Sequence, residues 1–395
     1  MIKPEAFLEE LNAAGVEFFA GVPDSLLKEF LTLLQDCVPA DKHHITASEG
    51  AAVALASGYH LATGRVPLVY MQNSGLGNAV NPLMSLSHCL VYGLPLVLLI
   101  GHRGAPNVKD EPQHAAMGAA TLTILDNLAV PYQLLRGEED DLKGFVQKAV
   151  TRANTIGAPV AIVVAAGSFD KAETNKTEIA RADKTKADNA AAKSDTDGVT
   201  RPIGIKRANV IEALLAKLKG NEAVVASTGY NGRELYEARL ASGKKNTGDF
   251  LNVGAMGHAL PIAVGIALGK PNPAVICIDG DGALLMHLGS LISAGKSGAA
   301  VRHLLINNGA HESVGGQPTG AEELGFSSMA ALAGYKFSHK LTPHENLDDA
   351  LEVFLSAPTP AFLEVRVDLG CKDNLARPSS DFQGSKRDFM RFLKG

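Results

Sequence analysis

The stretch Ala274–Asn308 constrains this chain more than any other. An apolar run, Ala274-Val275-Ile276-Cys277-Ile278, ends in Asp279-Gly280-Asp281-Gly282, and a second, His303-Leu304-Leu305-Ile306, ends in Asn307-Asn308. Each is short, apolar and stopped by Gly or Asn, so each reads as a strand buried on both faces of a parallel sheet. Between them, residues 283–297 carry apolar positions at helical spacing. A strand–helix–strand crossover is right-handed and brings both strand C-termini to one sheet edge. Neighbouring strands lie about 4.8 Å apart, so Asp281 and Asn308 can reach one hard cation, which prefers oxygen ligands. The glycines around Asp281 let backbone N–H groups approach a phosphate at the helix start. The physical reading is a magnesium-bound diphosphate at a strand edge. Alone, GDG is a common turn and NN a common loop; their placement at matching strand ends gives them weight.

The rest of the chain fits an α/β architecture. Its 395 residues suggest two to three domains. Residues 1–169 alternate helical and strand patterns: a helix over 4–14, a strand over 17–20, a helix over 49–63, and strands over 67–71, 94–101 and 159–165. The turn Gly21-Val22-Pro23-Asp24 leaves Asp24 or Ser25 to cap the following helix. Residues 170–200 are charged and Ala-rich, with Ile179 the one large apolar residue, and read as a surface linker. Residues 201–395 form a second α/β unit, with a strand over 223–226 running into Ser227-Thr228-Gly229. There 251–268 give a Gly-rich entry and an apolar helix, 361–367 a last strand, and 373–395 a tail able to fold over a site.

Composition excludes several classes of partner. The net charge of −5, without a long basic tract, argues against nucleic acid. Cys37, Cys89, Cys277 and Cys371 are far apart with no CxxC, which suits reduced, mostly buried thiols. The N-terminus has no signal-peptide core, and the most apolar stretch, Leu90–Ile100, is too short to span a bilayer and contains Gly93 and Pro95. A cytoplasmic protein with no membrane partner is expected.

A second key is the helix entry Ala47-Ser48-Glu49-Gly50-Ala51-Ala52, where small residues let a flat ring pack closely beside Glu49. In isolation Glu49 is a first-turn acid complementing the helix dipole. Together with GDG and NN, and with GVPDSLL (21–27), QNSGLGNAVNPLMSL (72–86), VKDEPQH (108–114), STGYNGREL (227–235), GAMGHA (254–259) and NNGAHESVGGQPT (307–319), it makes the chain resemble the thiamine-diphosphate-dependent decarboxylases. Within them it is most similar to the phosphonopyruvate decarboxylase branch.

That resemblance implies two doubly wound parallel-sheet domains of the thiamine-diphosphate-binding fold: a pyrimidine-binding domain over 1–169, the linker over 170–200 and a diphosphate-binding domain over 201–395, with no middle domain. It implies thiamine diphosphate and Mg2+ as cofactors. Glu49 would bond the pyrimidine ring nitrogen, Met256 would be the apolar side chain over which the cofactor bends, and the Gly254 carbonyl would accept from its amino group. Asp281, Asn308 and the Ala310 carbonyl would ligate the metal. Thr228, Gly229, Gly282, Ala283, His311 and Ser313 would bind the diphosphate, although Gly309-Ala310-His311 departs from the Gly-Tyr pair of many relatives. Asp24 and His114 would handle protons near the reacting carbon. Ser25, Gln72, Asn73 and Gln113 would line the substrate pocket, where Arg103 and Lys109 would meet an anionic group. The implied substrate is 3-phosphonopyruvate, decarboxylated to phosphonoacetaldehyde. The implied assembly is a homodimer or higher homo-oligomer with sites at the subunit interface. Sulfopyruvate decarboxylation and an acetolactate-synthase-type carboligation are the enzymatic alternatives. A non-catalytic nucleotide-binding protein would lack a use for Glu49, Asp281 and Asn308 together, and no full GxGxxG opens a βαβ unit here.

Overall fold

The computed structural model describes residues 1–137, 141–172, 204–243, 248–372, 374–378 and 380–395. The first half holds strands β1 (Phe19–Gly21), β2 (His43–Ile45), β3 (Leu68–Gln72), β4 (Val97–Gly101), β5 (Tyr132–Leu135) and β6 (Val160–Val164). Its helices are α1 (Pro4–Ala13), α2 (Lys28–Cys37), α3 (Glu49–Thr63), α4 (Leu76–Pro82), α5 (Ala115–Asn127) and α6 (Leu142–Ile156). The second half holds β7 (Ala223–Ala226), β8 (Asp249–Leu251), β9 (Val275–Gly280), β10 (Val301–Asn307), a small hairpin of β11 (Ala310–His311) and β12 (Gln317–Pro318), β13 (Phe337–Lys340) and β14 (Ala361–Arg366). Its helices are α7 (Arg207–Lys217), α8 (Tyr230–Ala241), α9 (Ala259–Gly269), α10 (Asp281–Met286), α11 (Ser290–Lys296), α12 (Phe326–Ala333), α13 (Leu347–Ser356) and α14 (Phe382–Lys394).

Each half builds one six-stranded sheet. The first has the order β2-β1-β3-β4-β6-β5; the second, read in the same sense, is β8-β7-β9-β10-β14-β13. The orders correspond strand for strand, and every pairing in both sheets is parallel. Central strands such as Val97–Gly101 and Val160–Val164 are buried along their whole length, which is why they read as continuous apolar runs. In each sheet the order reverses beside the first strand, between β1 and β3 and between β7 and β9. A crevice opens outside the strand C-termini at such a point, and ligands bind there in open α/β sheets.

The halves share a central apolar core in which Ala52, Tyr59 and Leu83 of the first pack with Leu260, Ile262 and Phe389 of the second, while each half keeps a separate outer core. Helices α3 and α9 cross at this centre. A Cβ built on Gly58 would lie 2.1 Å from the Ile262 carbonyl oxygen, and one on Gly265 would lie 2.0 Å from that of Leu55, so the backbones meet where only glycine fits. The tail folds over the junction of the halves: α14 buries Phe389 and Leu393, and Lys386 Nζ donates to the Gly93 carbonyl at 2.7 Å.

Three expectations need correction or lie outside the described residues. The helix expected over 283–297 is two short ones, broken at His287–Gly289, where His287 packs on His258 (ring centroids 4.1 Å apart) and Gly289 meets Ala47 closely. Of the four free cysteines only Cys277 is buried; Cys37 and Cys371 are exposed, Cys37 because it ends α2 on its solvent side. The linker lies outside the described residues from 173 onward. Among the described residues, no helix is long and apolar enough to cross a membrane.

Candidate active site

The second-half crevice gathers the residues that the sequence singled out. Thr228 and Gly229 follow β7, Asp281, Gly282 and Ala283 follow β9, and Asn308, Ala310, His311 and Ser313 follow β10; with Met256 they line one cavity of about 70 Å3. The Asp281 carboxylate is nearly inaccessible and accepts from Thr319 Oγ1 (2.5 Å) and from the backbone N–H groups of Asn308 and Gly282. Burial raises its pKa, and those hydrogen bonds oppose the rise. Asp281 and Asn308 thus meet at adjacent strand ends, as the β9–β10 register requires. A Cβ on Gly282 would fall 2.6 Å from the His311 ring, and one on Gly229, whose φ is +90°, would fall 3.2 Å from Ser313 Oγ.

Met256 sits in a tightly tied turn. Asn252 Nδ2 donates to the Ala255 carbonyl at 3.0 Å, and His258 Nδ1 lies 3.1 Å from the carbonyls of both Ala255 and Met256. Ala255 adopts φ +38°, in the left-handed region disfavoured for a residue with a Cβ. Gly254 backs onto Ser85, whose hydroxyl accepts from the Ala255 N–H at 2.8 Å.

Glu49 opens α3, where Ser48 caps the helix by accepting from the Ala51 N–H. The carboxylate is buried against Gly75, and its Oε2 accepts from Asn78 Nδ2 at 2.8 Å. Gly50 touches His258: a Cβ there would lie 2.8 Å from His258 Nε2. That nitrogen is buried with no partner among the described residues, and burial lowers the His258 pKa to about 4. Glu49 and the Met256 turn therefore flank one contact between the two halves.

The first-half crevice brings Arg103 and His114, with Ser25 and Asn73 joined through Arg103, onto a carboxylate that no local pattern marked, Asp110. It takes Arg103 as a fork, Nε at 2.8 Å and Nη2 at 2.5 Å, accepts from the Gly104 N–H at 2.7 Å, and lies 3.1 Å from His114 Nδ1. Arg103 holds the Asp110 carboxyl well below the usual carboxylate range. Arg103 Nη1 also donates to Ser25 Oγ at 2.5 Å, and buried Asn73 donates to the Arg103 carbonyl (2.8 Å) and to Thr121 Oγ1 (2.9 Å). Asp24 caps the turn after β1 by accepting from the Leu26 N–H, but its Oδ1 is buried without a partner among the described residues. Burial raises the Asp24 pKa against the pull of the Leu26 N–H and Arg103. A cavity of about 330 Å3 opens beside Asp24 and Ser25. Gln72 bonds Ser74 instead of this network, and Lys109 and Gln113 are exposed outside it. A larger cavity of about 490 Å3, between α14 and β8, contains none of the predicted residues.

Residues 4–124 match the N-terminal TPP binding domain of thiamine pyrophosphate enzymes, and residues 235–365 match their C-terminal TPP binding domain. The chain is 34% identical to the phosphonopyruvate decarboxylase of Streptomyces viridochromogenes, covering 100% of this chain and 95% of that one. The chain belongs to the thiamine pyrophosphate enzymes. It is 27% identical to the sulfopyruvate decarboxylase of Methanosarcina acetivorans, covering 97% and 96% of the two chains. In fold it is similar to a thiamin diphosphate-dependent enzyme from Mycobacterium smegmatis, at a TM-score of 0.68 and 15% identity over 94% of this chain and 100% of that one.

As a thiamine pyrophosphate enzyme the chain uses thiamine diphosphate with Mg2+, and its residues fit both. The carboxylate of Asp281, the amide oxygen of Asn308 and the Ala310 carbonyl are hard oxygen donors at one cavity. Gly229 and Gly282 keep that cavity clear, since a side chain at either would enter it. Asn78, Asp110, Glu312 and Thr319 all fall within the segments that carried the resemblance, but no local pattern marked them; Arg207 lies outside those segments and had no sequence signal.

Proposed function

We propose that this enzyme catalyses the non-oxidative decarboxylation of 3-phosphonopyruvate to phosphonoacetaldehyde and carbon dioxide, a step of phosphonate biosynthesis. The observation that carries this is the end-to-end likeness to a phosphonopyruvate decarboxylase, joined to the burial of Glu49 and Asp281 at the two crevices. Bound thiamine diphosphate would supply a nucleophilic carbon and the electron sink that lets carbon dioxide leave. In this reading residues 1–169 are the pyrimidine-binding domain and 201–395 the diphosphate-binding domain.

The protein's own part is holding and proton handling. Glu49, fixed by Asn78, bonds the pyrimidine ring nitrogen, and Gly254 accepts from the ring's amino group. Met256, presented by its tied turn into the Asp281 cavity, would be the apolar side chain that the bound cofactor packs against. Asp281, Asn308 and Ala310 hold Mg2+, while Thr228, Gly229, Gly282, Ala283, His311 and Ser313 receive the diphosphate. Asp24, whose partnerless oxygen favours a protonated carboxyl, and His114 move protons at the carbon that loses carbon dioxide. Arg103, its Nε–Nη2 fork steadied by Asp110, binds the phosphonate with Lys109 through its charge and the guanidinium N–H groups that Asp110 leaves over. Ser25, Gln72, Asn73 and Gln113 border the substrate. A homodimer or larger homo-oligomer accounts for the exposed apolar side chains of Ile45, Met286 and Val314, which lie in or beside segments that build the site.

The test offers phosphonopyruvate, sulfopyruvate and pyruvate separately with Mg2+ and thiamine diphosphate, and follows products by NMR. Phosphonoacetaldehyde from the first, with the others much slower, supports the proposal. Preference for sulfopyruvate, the activity named for the Methanosarcina relative, would replace the substrate. Condensation of two pyruvate molecules would replace the reaction.

A further inference from the structure

A carboxamide that serves as a metal ligand must present its oxygen and turn its NH2 away. Nothing in an asparagine enforces that choice; a neighbouring acceptor for the NH2 or a donor to the oxygen has to, and an ionised acceptor discriminates most strongly. Beside Asn308 that acceptor is Glu312. Its Oε2 accepts from Asn308 Nδ2 at 3.0 Å and also from Arg207 Nη2, and its Oε1 accepts from the Gly370 N–H. The opposite atom, Asn308 Oδ1, faces the Ala310 N–H at 3.2 Å. Arg207 is fixed in turn: its side chain is 5% exposed, Nη1 reaches Glu234 at 3.4 Å, and the Tyr230 ring lies 5.3 Å from the guanidinium. These partners come from the start of α7, from α8 and from the loop after β14, so the arrangement is a built one that local sequence does not dictate.

We propose that Glu312, anchored by Arg207 and the Gly370 N–H, is a positioning residue that locks the Asn308 carboxamide with its oxygen toward the metal. This rests on the reading that Asp281, Asn308 and Ala310 hold Mg2+. The groups that meet the Glu312 carboxylate, from Asn308, Arg207 and Gly370, are all N–H donors. A glutamine there would bring an NH2 against at least one of those donors, and the easiest relief is to turn Asn308 over. An aspartate at 308 has the converse defect: it needs no orientation, having two oxygens, but it sets a carboxylate against Glu312. Glu312→Gln and Asn308→Asp should therefore compensate each other, because the amide of the first donates to the carboxylate of the second.

Calorimetric titration of metal-free protein with thiamine diphosphate, at fixed Mg2+ and again without it, tests this independently of turnover. Each single variant should weaken Mg2+-dependent cofactor binding by about 10–100-fold. The Asn308→Asp/Glu312→Gln double variant should bind more tightly than either single one, a non-additivity that a general loss of packing would not give. Melting of the metal-free proteins reports folding separately. If Glu312→Gln does not fold, Arg207→Lys keeps the charge but loses the fork, and should give a smaller loss of the same kind. Wild-type affinity in Glu312→Gln, or losses that simply add in the double variant, would overturn the proposal. Asp281→Asn separates the two readings. Unchanged Mg2+ dependence there would remove the metal site itself, whereas its loss there beside normal binding in Glu312→Gln would refute the positioning role alone.

Discussion

The α3–α9 crossing gives a test in which two physical effects have opposite signs. Replacing a helical glycine by alanine normally stabilises a helix by about 1 kcal/mol. At Gly58 the added methyl would lie 2.1 Å from the Ile262 carbonyl oxygen, 2.9 Å from its carbon and 3.1 Å from the Gly265 Cα. All three are backbone atoms, so no side chain can swing away and the helices must part by roughly 1 Å in a core packed to crystal density. Forced overpacking costs about 1–3 kcal/mol where side chains can adjust; against backbone the upper end applies, and it exceeds the propensity gain. Gly58→Ala should therefore be net destabilising by roughly 2 kcal/mol, a fall of a few degrees in melting temperature for a chain of this length. Because Glu49 opens α3 and the Met256 turn leads into α9, cofactor affinity should fall with it. Gly77, also helical, has nothing within 4 Å of the place a methyl would take, so Gly77→Ala should be neutral or stabilising. Differential scanning fluorimetry of both variants, with cofactor titrations, reads the contrast. Equal or higher stability in Gly58→Ala would mean that the helices are not in contact as described, and the shared core would have to be redrawn.

Other expectations follow from single sites. Asp281→Asn should lose Mg2+-dependent cofactor binding by at least the roughly 10–100-fold that loss of a supporting residue costs; calorimetry with and without Mg2+ checks it. Arg103→Gln should raise the KM for phosphonopyruvate about tenfold or more, through loss of a charge-assisted contact, with a smaller effect on pyruvate; equal effects on both would free Arg103 of its proposed role. His60 is buried at the end of α3, with Nδ1 2.8 Å from the Arg65 carbonyl, and burial lowers its pKa from 6.5 to about 4. Its neutral form is the folded one, so its contribution, on the order of 3 kcal/mol, is present above pH 6.5 and lost as pH falls toward about 4. The melting temperature of His60→Gln should accordingly fall less steeply over that window than the wild type's; parallel curves would contradict the assignment.

What the sequence revealed depended on whether position and chemistry were encoded locally. Asp281 and Asn308 were legible because each ends an apolar strand, and the strand both announces the residue and places it. Central strands were legible for the same reason. The edge strands β2 and β13 were not: His43-His44-Ile45 and Phe337–Lys340 are part exposed and carry no apolar run. The matching strand order of the halves left no sequence repeat, since burial constrains hydrophobicity at those positions and not identity. Glu312 was missed because its role lies in long-range contacts: it meets Arg207 105 positions away. Asp110 was missed for another reason: its partners Arg103, Gly104 and His114 are near in sequence, but they meet it in an irregular loop that carries no periodic pattern. The break at His287–Gly289 escaped because it answers to His258 and Ala47, tertiary neighbours that helical periodicity does not record.

The most direct test of the account is the Glu49→Gln enzyme, measured for cofactor binding by calorimetry and for carbon dioxide release from phosphonopyruvate under identical conditions. The amide keeps the shape at the start of α3 and keeps an oxygen for Asn78, but cannot share a proton with the pyrimidine ring. Cofactor affinity within about tenfold of wild type, with turnover lower by roughly 100-fold or more, is the expected result. Near-normal turnover would contradict the account at its centre, because the chemistry would then proceed without the carboxylate assigned to the pyrimidine ring.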